Sequence, residues 1–251
     1  SKQKRIGIMI QTLSQVLALE AYMSELWRDA FLLHQRPYGN SSVMAEMFTL
    51  DNGRISVIAK GAKKPKSKFF GVLSPFSKLR ITYRGKSELK TLTNVDKEDI
   101  FSDSFSKLSY TLLYINELLI KILPQGAPQK ELFNLYDKFL LEIKTSNEID
   151  IILRRFEIDL LEMLGYGINF INEVDSGQSI DADKLYDFVP ELGFKESPNG
   201  IFNGKEIISI SKLDFENINK KKFKSLTTMA IGYSLDGGDL KSRQIFKTLK
   251  K

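Results

Sequence analysis

Residues 43–61 read VMAEMFTLDNGRISVIAKG. The segments on either side of Asp51-Asn52-Gly53 are short and rich in β-branched and aromatic residues, which is typical of strands. An Asn-Gly pair readily adopts the positive φ angles that a tight turn requires. The stretch therefore predicts two consecutive strands that pair as an antiparallel hairpin.

Three more strand-like segments surround this hairpin. The five predicted strands cover residues 26–35, 43–50, 54–61, 77–84 and 88–95. Arg84-Gly85-Lys86 predicts another turn, and a longer, basic connection joins the third strand to the fourth. Five strands over roughly 70 residues are typical of an OB-type barrel, and an SH3-like barrel fits the same count.

Beyond residue 96 the spacing of apolar residues becomes helical. Helices are predicted over 104–123, 130–144, 148–164 and 215–235, with a short one over 240–249. Residues 169–204 are polar, acidic and contain glycine, so we expect a loop-rich insertion with a possible hairpin over 186–197. Strands followed by helices indicate an α+β protein.

Composition limits the function classes. The 251 residues are 42% hydrophobic and include no cysteine, so the chain can form a core but no disulfide and no thiolate metal site. No apolar run approaches the roughly 18 residues of a membrane span. Residues 1–22 start with basic residues, but polar residues interrupt the apolar run that follows, so we expect an extension rather than a secretory signal. A cytoplasmic protein is expected.

Positive charge is concentrated in one part of the chain. The formal net charge is +6, yet residues 54–90 hold eleven Lys and Arg against one acid, Glu88. Residues 91–213 hold twelve basic and twenty-one acidic residues, a balance of −9. A cationic block of this density favours binding to a polyanion.

Sequence signals for catalysis are weak. No GxxxxGK[ST] phosphate-binding loop occurs. The single histidine, His34, lies in a predicted strand, where a structural role is expected rather than a place in a catalytic triad. Acidic residues cluster at 96–103 and 175–183, but in polar loops, where solvated charge is expected rather than a two-metal nuclease site. We therefore expect a binding protein, with no enzyme activity, metal or cofactor.

The basic block carries both features of a single-strand binder, which are cations along the phosphates and aromatic faces for the bases. The candidate phosphate contacts are Lys60, Lys63, Lys64, Lys66, Lys68, Arg80, Arg84 and Lys86. Arg80 and Arg84 are separated by an even number of residues, so a regular strand presents them on one face. For Phe69, Phe70 and Phe76 we favour packing at the end of the barrel over base stacking. Tyr38 and Tyr83 are further aromatic candidates.

Several stretches together resemble the bacterial RecO family of recombination mediators. They are RDAFLLHQRPYGNSS, FTLDNGRISVIAKGAKKPKSKFFGVLSPF, YRGKSELKTL, LYINELL, LRRFEIDLLEMLGYGINF and LKSRQIF. The resemblance implies an N-terminal five-stranded OB-fold barrel followed by an all-helical C-terminal domain with a loop-rich insertion. The implied domains are an extension over 1–22, an OB-fold domain over 23–100 and a helical domain over 101–251.

The resemblance also implies a function in DNA repair and recombination without catalysis. RecO-like proteins bind single- and double-stranded DNA, anneal complementary strands and, with RecR, help load RecA onto strands coated by single-strand binding protein (SSB). Arg36, in the matching RPYG loop, joins the expected DNA contacts. A cytoplasmic, nucleoid-associated protein is implied.

Two further expectations follow from the resemblance. The acidic SSB tail requires a cation and an apolar pocket, which makes candidates of Leu118, Leu119, Arg154, Arg155 and Phe156; ordinary helix packing is the alternative. Many relatives bind zinc through four cysteines after the LGY motif, whereas residues 165–194 contain none. The chain therefore resembles the zinc-free branch, and we expect packing alone to hold this insertion.

Two other function classes remain open. A protein-interaction adaptor would use the barrel for partners and the lysines only for solubility, so it would bind oligonucleotides weakly with little dependence on salt. A metal-dependent nuclease would cleave strands with magnesium and lose activity when Asp99 or Asp181 is changed.

Overall fold

The protein is described by a computed structural model covering residue 15 and residues 26–98, 105–214, 216–235, 237–238 and 240–242, with side chains in the first helix from residue 108 onward. The extension over 1–22, apart from residue 15, and most of the helix predicted over 240–249 lie outside the described residues. The chain forms two compact units. The first contains Ser1–Phe105 and Ile115–Phe133, and the second contains Ser106–Tyr114 and Asn134–Lys251.

Five strands of the first unit close into a barrel, as predicted. They are β1 (Arg28–Tyr38), β2 (Ser42–Thr49), β3 (Gly53–Ala59), β4 (Lys78–Arg84) and β5 (Leu89–Glu98). Their order is β1-β2-β3-β5-β4. All pairs are antiparallel except β3 with β5, which run parallel. The OB-like barrel followed by helices is thus confirmed.

Alternating burial along the strands forms the barrel core. In β3 every second residue is buried, from Gly53 to Ala59, so one face of the strand lines the interior. Residues of all five strands share this cluster with three from the connection after β3, namely Ala62, Phe69 and Leu73. The long basic connection is therefore anchored in the core that it adjoins.

The hairpin turn also packs against the segment that follows the first helix, α1 (Phe105–Ile122). Gly53 has a φ of +62°, and a Cβ atom there would lie 1.8 Å from the carbonyl oxygen of Ala127. The side chain of Arg54 donates to the carbonyl of Leu123 at 3.0 Å. Residues 115–133 consequently pack with the barrel, and the compact units do not follow a single cut of the chain near residue 100.

The second unit combines helices with a small sheet. The elements after α1 are α2 (Lys130–Thr145), α3 (Ile149–Met163), β6 (Leu185–Val189), β7 (Gly193–Glu196), β8 (Phe202–Asn203), α4 (Gly204–Ser211) and α5 (Lys220–Ser234). The predicted helix stop at Gly165 is confirmed, since this glycine has a φ of +84°. None of the described helices is long and apolar enough to cross a bilayer.

The insertion contains more regular secondary structure than a loop-rich segment of an all-helical domain would. The hairpin over 186–197 is confirmed as β6 and β7, and β8 completes a three-stranded sheet. Helix α4 was not predicted, although Asn203 and Glu206 form a reciprocal capping box at its start. Phe194 and Phe202 are buried in the core that this sheet shares with α3, α4 and α5.

A carboxylate fastens this insertion besides packing, so the expectation of packing alone was wrong. The Oε2 atom of Glu173 accepts from the hydroxyl and the backbone N–H of Ser176, both at 2.6 Å, and Oε1 accepts from the N–H of Glu196 in β7 at 3.1 Å. These hydrogen bonds, those of Ser176 foremost, lower the pKa of Glu173 to about 2. The ionised carboxylate ties the loop to the sheet.

Changing Glu173→Gln is expected to lower stability at neutral pH and to remove part of its acid dependence. A carboxyl with a lowered pKa stabilises the fold above its ordinary pKa, near 4.5, and that stabilisation is lost as the pH falls toward 2. Thermal unfolding between pH 7 and pH 2 measures both effects. Glu191→Gln, at an exposed residue of the β6–β7 turn, is the control. An acid profile identical to that of the parent would contradict the assignment.

Candidate nucleic-acid interface

The connection between β3 and β4 is built as a series of tight turns. Backbone N–H groups of Lys64, Ser67 and Phe70 donate to carbonyls three residues earlier, at 3.0, 2.9 and 3.1 Å. The N–H of Lys63 donates to the carbonyl of Ser41 at 2.9 Å, which fixes the connection to the β1–β2 turn. With Phe69 buried in the core, the backbone positions from which the surface side chains of this connection extend are fixed.

All five lysines of this connection are exposed, and we call them the lysine loop: Lys60, Lys63, Lys64, Lys66 and Lys68. The ammonium of Lys63 donates to the carbonyl of Gly39 at 3.4 Å. Among the described residues, Lys60, Lys64 and Lys66 have neither a hydrogen bond nor an ion pair through their side chains. No described carboxylate lies within ion-pair distance of the five, so their mutual repulsion is unrelieved.

Lys68 links the loop to the outer face of the barrel. Its ammonium donates to Oδ1 of Asn94 at 2.7 Å, and Nδ2 of Asn94 donates to the hydroxyl of Thr82 at 2.9 Å. Thr82 lies in β4 midway between Arg80 and Arg84. Both arginines are exposed, whereas all three residues between them are buried, and the β4–β5 register shifts between Thr82 and Tyr83, so the shared face stays a prediction. Two cations of β4, and Lys68 connected to that strand through Asn94, therefore lie near one another.

The remaining predicted contacts lie at the edges of this surface. Arg36 is exposed near the end of β1, and its Nη2 donates to the sulfur of Met44 at 3.2 Å. Tyr38, 45% exposed, ends the same strand, next to the turn that receives Lys63. Lys86 is exposed in the β4–β5 turn. The lysine loop with Arg36, Arg80, Arg84 and Lys86 forms what we call the basic face.

The predictions for the aromatic residues near the basic block were confirmed only in part. Packing is confirmed for Phe69 and Phe76, which are 6% and 2% exposed, but it was wrong for Phe70, which is 52% exposed. Tyr83 is buried, its hydroxyl accepts from Asn52 at 2.5 Å, and burial raises its pKa. Sequence reasoning missed Trp27, which is 41% exposed and lies under the guanidinium of Arg80. Its position at the start of a strand beside Arg28 was the available signal.

The residues predicted for the SSB tail are mostly buried. Leu118 and Leu119 are fully covered within the first unit, and Phe156 is 2% exposed within the second. Arg154 is 7% exposed, and its Nη1 donates to both carboxylate oxygens of the buried Glu157 at 2.7 Å. The hydroxyl of Tyr114 donates to the same carboxylate at 2.5 Å. Leu118 and Leu119 therefore lie in the interior of the first unit, and Arg154 and Phe156 in that of the second.

Arg154 nevertheless borders a cavity of about 160 Å³ beside the start of α5. The cavity is lined by Asp150, Ile151, Arg154, Lys220, Lys221, Phe223 and Lys224. The hydrogen bonds of Arg154 to Glu157 and Thr227 all leave from Nη1, and its buried Nε has no partner among the described residues. The run of lysines over 220–224 was the sequence signal for this site. It was not used.

Arg155 borders a different and smaller cavity of about 20 Å³. Its guanidinium pairs with Glu142, and Asp159 also lines the space. Burial raises the pKa of Asp159, while the charges of Arg155 and Lys138 oppose that shift. The two carboxyl groups beside Arg155 make this cavity a poor site for an acidic ligand.

Two acidic residues of the second cluster, over 175–183, are engaged in ion pairs. Asp175 pairs with Lys195 at 2.9 Å and Asp183 with Lys205 at 3.4 Å. Within the described ranges, no three His, Cys, Asp or Glu side chains are grouped as a metal site requires. Asp99 and Asp103 lie outside the described residues.

Two family models match this chain. The model described as recombination protein O N terminal matches residues 23–101, and the one described as recombination protein O C terminal matches residues 104–244. A protein named DNA repair protein RecO from Haemophilus influenzae is 37% identical over 227 residues, which cover 89% of this chain and 96% of that protein. Proteins of the same name from Actinobacillus pleuropneumoniae and Salmonella dublin are 34% and 36% identical, over 90% and 89% of this chain and 97% and 94% of theirs.

Proposed function

This chain belongs to the recombination protein O family, and on that basis we propose that it acts in DNA repair as a recombination mediator that binds DNA and catalyses no reaction. The observation that carries the proposal is the lysine loop. Lys60, Lys64 and Lys66 project from an ordered connection without a described partner, so a polyanion would relieve their repulsion.

Binding is electrostatic in this account. The basic face neutralises phosphates and releases their counterions, for single and double strands alike. Neutralising two strands at once lowers the repulsion that slows annealing, so complementary strands pair faster. No nucleotide hydrolysis is needed. With RecR, the protein would help load RecA onto SSB-coated single strands in the cytoplasm, at the nucleoid.

Oligonucleotide affinity measured against salt concentration tests this function. DNA binding through phosphates gives a logarithm of affinity that falls linearly with the logarithm of salt, with a slope of about −0.7 for each phosphate neutralised on a single strand. The adaptor alternative gives weak binding and a slope near zero. A flat, weak titration would contradict the proposed function.

The cavity beside the start of α5 is the better candidate for the acidic SSB tail. It offers Lys221 and Lys224 for carboxylates, whereas Lys220 already pairs with Glu148 at 2.6 Å, and Ile151 and Phe223 supply an apolar wall for an aromatic side chain. Asp150, which also lines the cavity, is an acidic residue that would repel a carboxylate of the ligand. The cavity beside Arg155 is smaller and holds two carboxyl groups. We therefore assign the tail to the side of Arg154 rather than that of Arg155.

Replacing Lys221 by Glu is expected to weaken binding of an SSB C-terminal peptide by roughly tenfold, because a like charge replaces an exposed cation at the cavity mouth. Arg155→Ala, on the other cavity, should leave binding within about twofold of the parent. Titration calorimetry with the synthetic peptide measures both. The opposite order of effects would move the tail to Arg155.

A further inference from the structure

The only tryptophan of the chain lies on the barrel surface in contact with an arginine. Trp27 is 41% exposed, and the guanidinium carbon of Arg80 lies 5.6 Å from the centre of its ring. Arg28, the next residue, is buried, so alternation along the strand directs Trp27 outward. An exposed indole is a large apolar surface that water solvates poorly. It is available to a planar ligand.

The charges around Arg80 disfavour a phosphate at this point. Arg80 pairs in register with Asp29 of β1 on one side and with Asp96 of β5 on the other. Cross-strand partners share a face, so two acidic side chains neighbour Arg80 there, although neither carboxylate lies within ion-pair distance of its guanidinium. An anion placed there would face both acids, whereas an uncharged ring would not. We therefore expect Arg80, alone among the cations of the basic face, to contact DNA by stacking rather than by binding a phosphate.

Two further cations, Lys68 and Arg84, lie beyond this pair along β4 or connected to it. Continuing the β1–β4 register by one residue places Trp27 opposite Thr82, the residue that Asn94 connects to the ammonium of Lys68. Arg84 is the next exposed residue of β4, roughly 7 Å further along the strand. Single-strand binders combine cations that follow the backbone with aromatic faces on which bases stack. A base at Trp27 and phosphates at Lys68 and Arg84 thus fit one strand.

We propose that Trp27 and Arg80 form a subsite that stacks one unpaired nucleobase of a DNA strand whose phosphates contact the basic face. The subsite depends on the proposed DNA-binding function, and it adds a preference for single-stranded over double-stranded DNA. In a duplex both faces of each base are already stacked within the helix, so the indole gains nothing from double-stranded DNA. Stacking of this kind tolerates any base, because every base has a π face.

Intrinsic fluorescence tests the subsite without any substitution, since Trp27 is the sole indole. A thymine oligonucleotide is added while its binding is followed separately by anisotropy of a fluorescent end label. Quenching of Trp27 should saturate together with binding, and a duplex of equal length should bind with little quenching. Trp27→Leu should lower single-strand affinity roughly tenfold and leave duplex affinity unchanged, and Trp27→Phe should retain most of it.

The results distinguish a failure of the Trp27–Arg80 subsite from a failure of the proposed DNA-binding function. Salt-dependent binding without quenching, together with unchanged affinity of Trp27→Leu, would overturn the subsite and leave DNA binding intact. Equal quenching by the duplex would overturn the preference for unpaired bases. Failure of the unaltered protein to bind either form would overturn both proposals.

Discussion

Replacing Lys60, Lys64 and Lys66 by glutamine is expected to lower the affinity for single-stranded DNA about 100-fold at 0.1 M salt. Each phosphate contact contributes about 0.7 to the salt slope, so three lost contacts reduce the slope by about 2 and the affinity by about two decades. The three ammonium groups have no described partner in the free protein, so their removal costs no internal contact. Fluorescence anisotropy over a series of salt concentrations measures both quantities.

The second unit provides a control with the same change in net charge. Lys184, Lys195 and Lys205 each pair with a carboxylate, at 2.8, 2.9 and 3.4 Å. Replacing these three by glutamine removes an equal charge from positions that are already neutralised, so affinity should change by less than about threefold. If both triple variants lose affinity equally, net charge rather than the lysine loop determines binding.

Replacing Glu157 by Ala is expected to destabilise the protein by about 3–5 kcal/mol, because it leaves the guanidinium of Arg154 buried without its counter-charge. Glu157 is fully buried and accepts hydrogen bonds from Arg154 and Tyr114, so both donors lose their acceptor. Urea unfolding measures the loss. Glu162→Ala, at an exposed residue of the same helix, should change stability by less than about 0.5 kcal/mol.

A double substitution distinguishes an unpaired charge from a packing defect. Arg154→Met combined with Glu157→Leu removes both charges and keeps apolar volume, so it should recover most of the stability lost in Glu157→Ala. If the double variant is as unstable as the single one, the cost arises from packing. Destabilisation by Glu157→Ala below about 1 kcal/mol would contradict burial of the pair.

Local sequence patterns were sufficient to predict the strands of the barrel. Asp51-Asn52-Gly53 specifies a turn by its own chemistry, and strand alternation shows which side chains face inward. In the insertion the hairpin of β6 and β7 was predicted, but the two residues of β8 are too few to show a periodicity. The start of α4 carried a readable signal, the capping box of Asn203 and Glu206, which was overlooked.

The basic residues of the site could be predicted from the composition of the chain. Contacts between residues that are distant in the sequence could not. Five lysines close in sequence indicate a cationic surface regardless of the structure. The stacking of Arg80 on Trp27 joins residues 53 positions apart, which no local pattern reveals. Arg154 looked like a surface cation, although Glu157 three residues later on the same helix is the spacing of an internal ion pair.

The central claim is that the lysine loop promotes pairing of strands that SSB covers. Its most direct measurement is the annealing rate of complementary strands precoated with SSB, with the parent, the Lys60/Lys64/Lys66 glutamine variant and the Lys184/Lys195/Lys205 glutamine variant. The account predicts fast annealing with the parent and the second variant, and annealing near the rate without added protein for the first. Equal annealing by parent and lysine-loop variant would contradict it.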